Sequence, residues 1–287
     1  MSSIEKDSVS GRETTGHAWD GIKELNTPLP SWWLYVLYAT ILWSIGYWVV
    51  YPAIPLIGDY TRGLLGYSSR GDVAEQMQLA TAARAQWNDQ IDKLPVDQVV
   101  ANPELLTYAI AGGRAVFATN CTQCHGSGGQ GAPGFPILAD DDWLWGGDLA
   151  SIERTVRFGI RSGHPEAHLS EMPRFGVDQL LSAEQIADVS NYVLSLSGQA
   201  ADGDAAVRGR TVFAEQCAAC HGEDGKGNLE LGAPNLTDQI WLYGGPDAVA
   251  TQIGNPRHGV MPTWEGRLDN ASLKMVTIYV HALGGGK

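Results

Sequence analysis

Apolar and polar positions divide the chain into one long apolar segment, one polar helical segment and two segments of mixed character. The apolar segment runs from Trp32 to Tyr51, within a stretch from Leu25 to Gly58 that contains no Asp, Glu, Lys or Arg. A membrane-spanning helix needs about 20 predominantly apolar residues. Trp and Tyr cluster at both ends of the segment, as they do at the two surfaces of a bilayer. The pattern therefore predicts one transmembrane anchor over residues 31–55.

A cleaved signal peptide is the alternative interpretation of this segment. It is disfavoured because the apolar run is too long, begins too far from Met1 and lacks a small-residue cleavage site. Residues 1–30 are then a tail that precedes the anchor. More basic residues lie before the span than after it, which favours a cytoplasmic N-terminus. These residues are Lys6, Arg12 and Lys23 before it, and Arg62 and Arg70 after it.

The polar segment between the anchor and the mixed segments has the composition of a helix. Residues 73–92 are rich in Ala and Gln and contain no Gly or Pro, and these features favour helix formation. Residues 94–103 are interpreted as a connecting stretch. Together, residues 56–107 are predicted to form a helical linker.

The remaining chain is a repeat. The sequence 113-GRAVFATNCTQCHG-126 aligns with 209-GRTVFAEQCAACHG-222. Each copy ends in an apolar segment with a helical pattern and a following Gly, residues 182–198 and 270–285. We therefore predict two homologous helical domains, residues 108–198 and 204–287. Domains this short bury little apolar surface unaided, and a large apolar cofactor would supply the missing core.

Composition narrows the chemistry of the repeat. The chain has 287 residues and a net charge of −13, which argues against nucleic acid as a partner. Its four cysteines form two C-x-x-C-H motifs, one in each copy: Cys121, Cys124 and His125, and Cys217, Cys220 and His221. A disulfide scaffold would spread its cysteines more widely and belong to a smaller chain.

The C-x-x-C-H motif is the attachment sequence of c-type haem. Two thiols three residues apart on a helical turn can each add to a haem vinyl group, and the adjacent His then becomes an axial iron ligand. A zinc site would gather the four cysteines into one place. A thioredoxin-like dithiol would need a βαβ context, whereas helical and Gly-rich segments flank these motifs. The sequence thus predicts two covalently bound haem c groups.

Each iron needs a sixth ligand. Among the five Met residues, Met172 and Met261 lie in equivalent positions of the two copies, each before Pro. They are the predicted axial ligands, since His/Met ligation suits an electron carrier of raised potential. Packing in the core is the other interpretation of both. Three histidines are alternative ligands, with a surface or loop position as the default interpretation of each: His164, His168 and His258.

Two further groups of residues allow two interpretations each. Trp143, Trp145, Trp241 and Tyr243 either pack near a haem edge or belong to the ordinary core. The Arg residues of 153-ERTVRFGIR-161 either pair with haem propionates or lie on a solvated helix face.

The complete layout resembles the family of dihaem cytochrome c subunits of cbb3-type cytochrome c oxidases, known as CcoP or FixP. The resemblance rests on the anchor, on the two motifs CTQCH and CAACH, and on 233-APNLTDQIWLYGG-245 and 257-RHGVMPTW-264. It implies an all-α fold, with one N-terminal transmembrane helix followed by two tandem class I cytochrome c-like domains. It further implies crosswise ligation, in which each Met reaches the haem of the other domain, whereas the residues alone leave local and crosswise pairing open.

The resemblance implies a subunit that catalyses nothing by itself. It would relay electrons from a donor cytochrome c, together with a monohaem cytochrome c subunit, to the catalytic haem-copper oxidase subunit, which reduces oxygen and pumps protons. The chain would be a single-pass protein of the bacterial cytoplasmic membrane, with its haem domains in the periplasm. The alternatives are a dihaem electron-transfer subunit of another dehydrogenase complex, and a dihaem peroxidase.

Overall fold

The computed structural model describes residues 4–199 and 201–285, and it contains two compact units, Met1–Ala83 and Arg84–Lys287. The first unit begins with a two-stranded antiparallel hairpin, β1 (Thr14–Trp19) and β2 (Ile22–Leu25). Its turn residues, Asp20 and Gly21, both have positive φ, the conformation that tight hairpin turns require. This hairpin lies in the predicted polar tail and is an addition to the otherwise helical fold.

Helix α1 (Ser31–Val50) is the predicted anchor. It has a mean hydropathy of 1.5, and none of its residues is buried within the protein. It begins after Pro30, and the following chain turns back to cap its C-terminus. Leu64 and Leu65 donate backbone hydrogen bonds to the carbonyls of Val49 and Val50. Two carbonyls of the last turn, which have no partner within the helix, thus accept hydrogen bonds from the loop.

The linker is helical over a longer range than the composition indicates. Helix α2 spans Ser69–Lys93 and contains the predicted 73–92 segment. The expectation of a plain connection over 94–103 is wrong, because helix α3 (Val96–Ala101) forms there. Pro95 starts α3, and Val96 and Val99 are buried. Burial of two apolar residues one turn apart explains why so short a helix is stable.

The second unit contains the two sequence repeats. The first repeat forms α4 (Pro103–Asn120), α5 (Thr122–His125), α6 (Leu149–Phe158) and α7 (Ala183–Leu196). The second forms α8 (Gly203–Gln216), α9 (Ala218–His221), a 3-10 turn (Pro246–Ala248), α10 (Val249–Gly254) and α11 (Asn270–His281). The predicted C-terminal helices are confirmed as α7 and α11.

Side chains at their N-termini define where the longer helices begin. Each of these side chains accepts hydrogen bonds from backbone N–H groups of the first turn, which otherwise lack partners. Ser182 and Gln185 form a reciprocal capping box at the start of α7. The other caps are Asn102 for α4, Asp148 for α6, Asp202 for α8 and Asp269 for α11.

The two repeats exchange their C-terminal helices. Helix α4 packs against α11, and α8 packs against α7. A Cβ on Gly113 would overlap the carbonyl oxygen of Met275, and a Cβ on Gly209 would overlap that of Asp188. These glycines occupy equivalent positions in the aligned repeats, so each permits the same close helix crossing. Each packed lobe therefore combines the first helix of one repeat with the last helix of the other.

Candidate functional site

The two C-x-x-C-H motifs have the same local structure. Helix α4 ends at Asn120, and the short helix α5 starts directly after Cys121. The N–H of Cys121 donates to the carbonyl of Phe117 at 2.8 Å, and that of His125 donates to the carbonyl of Cys121 at 2.9 Å. The second motif repeats this arrangement through Cys217 and His221. Each motif thus places both thiols and the imidazole on one helical turn.

Both motif histidines present one ring nitrogen for coordination. The Nδ1 atom of His125 lies 3.2 Å from the carbonyl oxygen of Pro136, and that of His221 lies 3.1 Å from the carbonyl oxygen of Pro234. A carbonyl only accepts hydrogen bonds, so Nδ1 carries the proton and Nε2 keeps its lone pair. Burial lowers the pKa of both imidazoles, against an opposing contribution from the carbonyl hydrogen bonds. The neutral form, which metals require, is therefore favoured.

The cysteines have the properties of attachment points rather than of a redox couple. All four are free thiols, and Cys124 and Cys220 are exposed. Burial, with a smaller contribution from the neighbouring thiol, raises the pKa of Cys121 and of Cys217 to about 11. A catalytic dithiol has a lowered thiol pKa instead. Within residues 4–199 and 201–285, no group of three or more His, Cys, Asp or Glu side chains is arranged to hold a metal ion.

Met172 and Met261 each pack in the lobe that contains the other repeat's C-x-x-C-H motif. Met172, from the first repeat, contacts a core cluster that includes Phe213 and Cys217 of the second. Met261, from the second repeat, and Cys121 both pack against a cluster that combines Phe117 of the first repeat with Val276 of the second. The helix exchange therefore places each Met in the packed lobe that also contains the other repeat's first Cys.

The three alternative histidine ligands have other contacts. His258 accepts a hydrogen bond from the N–H of Met172 at its Nε2, 2.9 Å away. The Nε2 of His168 lies 3.0 Å from the hydroxyl of Thr155, and its ring stacks on Trp145. His164 lies 3.3 Å from the carboxylate of Glu265 and stacks on Phe158. These contacts favour the two Met residues over the histidines as sixth ligands.

The aromatic residues of the two WLxGG segments cross between the repeats. A Cβ on Gly232 would overlap the ring of Trp145. The ring of Tyr243 lies against Gly134, and its hydroxyl lies against Gly259. Each ring thus covers a glycine in the other repeat's loop after the C-x-x-C-H motif. Trp143 instead donates from its indole nitrogen to the carbonyl of Gly285.

Sequence reasoning missed the residues that connect the two Met loops. Arg161 was considered only as a propionate partner or a solvated residue, but its guanidinium donates to the carbonyls of Gly259 and Ser170, both at 2.7 Å. For His258 the sequence suggests a surface or loop position, or a ligand role, but not its bond to the N–H of Met172. The proximity of His258 to Met261 in sequence was the available signal, whereas nothing in the local sequence of Arg161 reveals its two distant acceptors.

The residues present fit a covalently attached haem. Each motif offers two thiols without a disulfide, one Nε2 lone pair and a Met thioether on the opposite repeat. His and Met are the axial ligands of low-spin cytochromes c. This donor set matches that chemistry in both copies.

Comparisons with known proteins agree with this chemistry along the chain. Residues 11–58 match the family described as the N-terminal domain of cytochrome oxidase-cbb3, FixP. Residues 110–197 match cytochrome c, and residues 204–280 match cytochrome c oxidase, cbb3-type, subunit III. Cytochrome c domains imply covalently bound haem c, and α1 fits a membrane-anchored subunit.

Curated relatives are similar over nearly their full length. The chain is 54% identical over 285 residues to the cbb3-type cytochrome c oxidase subunit FixP of Bradyrhizobium diazoefficiens, covering 99% of this chain and 98% of that protein. It is 52% identical over 276 residues to the subunit CcoP of Cereibacter sphaeroides, covering 96% and 95%. With its mostly helical fold, its anchor helix and its two cytochrome c domains, the chain belongs to the FixP/CcoP family of electron-transfer subunits of cbb3-type cytochrome c oxidases.

Proposed function

We propose that the chain binds two haem c groups with exchanged Met ligands and relays electrons within a cbb3-type oxidase. Cys121 and Cys124 attach the first haem, with His125 and Met261 as axial ligands. Cys217 and Cys220 attach the second, with His221 and Met172 as axial ligands. The observation that supports this assignment is that Met172 packs against the core cluster that contains Cys217, whereas Met261 packs, as does Cys121, against the core cluster that contains Phe117.

The chain's own residues would keep both irons saturated and their surroundings rigid. The carbonyls of Pro136 and Pro234 orient the two imidazoles, and such partners also raise the basicity of a ligating His. The short helical turns fix the thiols relative to the imidazoles. When bound, the haems supply one-electron redox chemistry. Two axial ligands held by rigid surroundings would change little in geometry when the iron is reduced. This suits electron transfer rather than catalysis.

The membrane arrangement follows from the same proposal. Residues 1–30 form a cytoplasmic tail, residues 31–55 cross the bacterial cytoplasmic membrane once, and residues 56–107 form a periplasmic helical linker. The haem domains, residues 108–198 and 204–287, face the periplasm, where a donor cytochrome c delivers electrons. Within the complex, the chain relays these electrons, together with the monohaem cytochrome c subunit, to the catalytic haem-copper subunit. The excess of acidic residues, which gives the net charge of −13, favours encounter with a basic donor.

The Met assignment is tested with variants that retain one haem. Replacing Cys121 and Cys124 by Ala leaves the second motif alone to carry haem, and haem staining of the purified complex checks this. In that background, Met172→Leu should abolish the weak absorption band of sulfur-ligated ferric haem, whereas Met261→Leu should leave it intact. Loss of the band in Met261→Leu but not in Met172→Leu would instead support local pairing, in which each Met binds the haem of its own repeat. If neither variant loses the band, neither Met172 nor Met261 is a ligand of the second haem.

A mild-detergent purification tests the role in the complex. The chain should copurify with haem b and copper in proportion to its own haem c, and its deletion should abolish oxygen consumption with reduced cytochrome c. Exogenous carbon monoxide should leave both c-type haems unchanged. Binding of carbon monoxide at a c-type haem of the wild type would instead support the peroxidase alternative.

A further inference from the structure

The two Met-bearing loops meet around the guanidinium of Arg161. Its Nε donates to the carbonyl oxygen of Gly259, and its Nη1 donates to that of Ser170, both at 2.7 Å. Ser170 lies two residues before Met172, and Gly259 lies two residues before Met261. One side chain therefore joins the loops that carry both proposed ligands.

The backbone around Arg161 is held from two sides. Ile160 exchanges both of its backbone hydrogen bonds with Met261, each at 3.0 Å, and the N–H of Arg161 donates to the carbonyl of His168 at 2.8 Å. Arg161 itself has a φ of +50°, which is uncommon for a residue other than Gly, Asn or Asp. Such a conformation persists where surrounding contacts determine it. These contacts fix the backbone from which the side chain of Arg161 extends.

A second link connects the loops directly. The N–H of Met172 donates to Nε2 of His258 at 2.9 Å, and His258 lies on the loop that leads to Met261. The two loops therefore share a direct hydrogen bond and a common bridging cation. Movement of either loop away from the other would break both connections.

We propose that Arg161 is a positioning residue for both Met ligands, holding the two loops in one frame so that neither thioether leaves its iron independently. This inference rests on the proposed function, in which Met172 and Met261 are the sixth ligands. A planar guanidinium suits the task because its donors point in several fixed directions. Donors on separate nitrogen atoms, Nε and Nη1, can therefore bond two carbonyls on different loops at once.

Competition with added imidazole measures how often each Met detaches. Imidazole binds ferric haem after the Met has left, so its apparent affinity is proportional to the detached fraction. Loss of one hydrogen bond to a charged group corresponds to about a tenfold change in such an equilibrium. Arg161→Gln in the full-length, membrane-anchored protein should therefore bind imidazole about tenfold more tightly at both haems. Arg161→Lys keeps the positive charge but loses the planar arrangement of donors. It should show a smaller increase in imidazole affinity at both haems.

The two haems are followed separately in single-ligand backgrounds. Met172→Leu leaves one sulfur-ligated haem and Met261→Leu leaves the other. Adding Arg161→Gln to each should make the remaining sulfur–iron band easier to displace with imidazole. Arg174→Gln is the matched control, because Arg174 also lies two residues from Met172 but is exposed and pairs with Asp178. It should leave imidazole affinity unchanged.

Two results would overturn the inference. One is an imidazole affinity in Arg161→Gln equal to that of the wild type, and the other is an increase confined to one haem. If Arg161→Gln does not accumulate with both haems, Arg161→Lys is judged by the same two criteria. If neither Met→Leu variant loses a sulfur–iron band, the ligand assignment itself has failed. That outcome is distinct from an intact assignment with an unresponsive Arg161.

Discussion

The rings of Phe117 and Tyr279 pack with centroids 5.4 Å apart and planes inclined by 55°, although the two residues belong to different repeats. Phe213 and Tyr192 form the equivalent pair at 5.2 Å and 58°. Each Phe belongs to a first helix and each Tyr to the last helix of the other repeat. The aromatic contacts thus show that each first helix pairs with the last helix of the other repeat.

Replacing Gly113 by Ala should destabilise the folded protein. The new Cβ would overlap the carbonyl oxygen of Met275, and backbone cannot move aside as a flexible side chain can. Overpacking of this kind costs about 1–3 kcal/mol, which exceeds the gain in helix propensity of about 1 kcal/mol. Urea unfolding of the haem-loaded protein would measure the change.

Gly203→Ala is the control for that substitution. Gly203 is the first residue of α8, and a Cβ there meets no atom within 4 Å. Its unfolding midpoint should equal or exceed that of the wild type. Equal midpoints for Gly113→Ala and the wild type would show that α4 and α11 do not cross this closely.

Gly159→Ala should loosen one Met ligand. Gly159 has a φ of +77°, and a Cβ there would overlap the carbonyl oxygen of Met261. The substitution should weaken the sulfur–iron band of the haem that Met261 serves and leave the other haem's band unchanged. Optical spectra in the Met172→Leu and Met261→Leu backgrounds would separate the two.

Gly163→Ala distinguishes displacement of Met261 from backbone strain. Gly163 has a similar φ of +84°, but a Cβ there meets no atom within 4 Å. Because both substitutions strain the backbone, Gly163→Ala should lower the stability about as much as Gly159→Ala. It should nevertheless keep both sulfur–iron bands. An equal loss of a band in the two variants would contradict the proposed contact.

Asp188 should make the stability of the α7–α8 pair depend on acid pH. It is buried, and its carboxylate accepts two hydrogen bonds from Arg208, at 2.8 and 2.6 Å. These hydrogen bonds, and the charge of Arg208 to a lesser extent, lower the pKa of Asp188 in the folded state. A lowered folded-state pKa contributes stability above the unfolded value of about 3.9, and this contribution is lost as the pH falls below it.

The stability difference between wild type and Asp188→Asn isolates this contribution from other acid effects. It should be constant at neutral pH and should shrink as the pH falls through about 4, as measured by thermal unfolding. Asp178→Asn is the control, since Asp178 and Arg174 form an exposed pair four residues apart in the turn before α7, and such pairs contribute little. A difference that does not vary with pH would contradict the assignment.

Lys274 should be required for docking of the end of α2. Its ammonium group is buried and donates to the carbonyls of Ile91, Asp92 and Leu94 at 3.2, 2.7 and 2.8 Å. The carbonyls of Ile91 and Asp92 lie in the last turn of α2, where helical partners are lacking, and that of Leu94 follows directly after the helix. Lys274→Met should cost about 1–3 kcal/mol through unsatisfied carbonyls, and amide exchange of residues 91–101 should accelerate.

Lys226→Met is the matched control for Lys274→Met. Lys226 is exposed and pairs with Asp224, so its replacement should leave unfolding and exchange rates near those of the wild type. Unchanged exchange over residues 91–101 in Lys274→Met would mean that this lysine does not hold the helix end.

Local sequence determined much of this protein. The uncharged apolar run predicted α1, the repeat predicted two helical domains, and the C-x-x-C-H spacing predicted the attachment chemistry. Each of these depends on residues near one another in the chain, where helical periodicity and turn geometry act directly. The same reasoning misjudged residues 94–103, because burial of Val96 and Val99 against distant residues decides whether α3 forms.

Only the tertiary structure decided how the repeats combine. The two repeats present nearly the same Gly, Phe and Cys positions, so α4 finds an equivalent surface on its own last helix and on that of the other repeat. Sequence similarity cannot distinguish these partners, whereas the packing of Gly113 against Met275 and of Gly209 against Asp188 does. The bonds of Arg161 to Gly259 and Ser170 likewise exist only once the loops are assembled. The sequence of each motif thus determines its local structure, whereas long-range packing determines which repeat's Met loop lies in the same lobe as that motif.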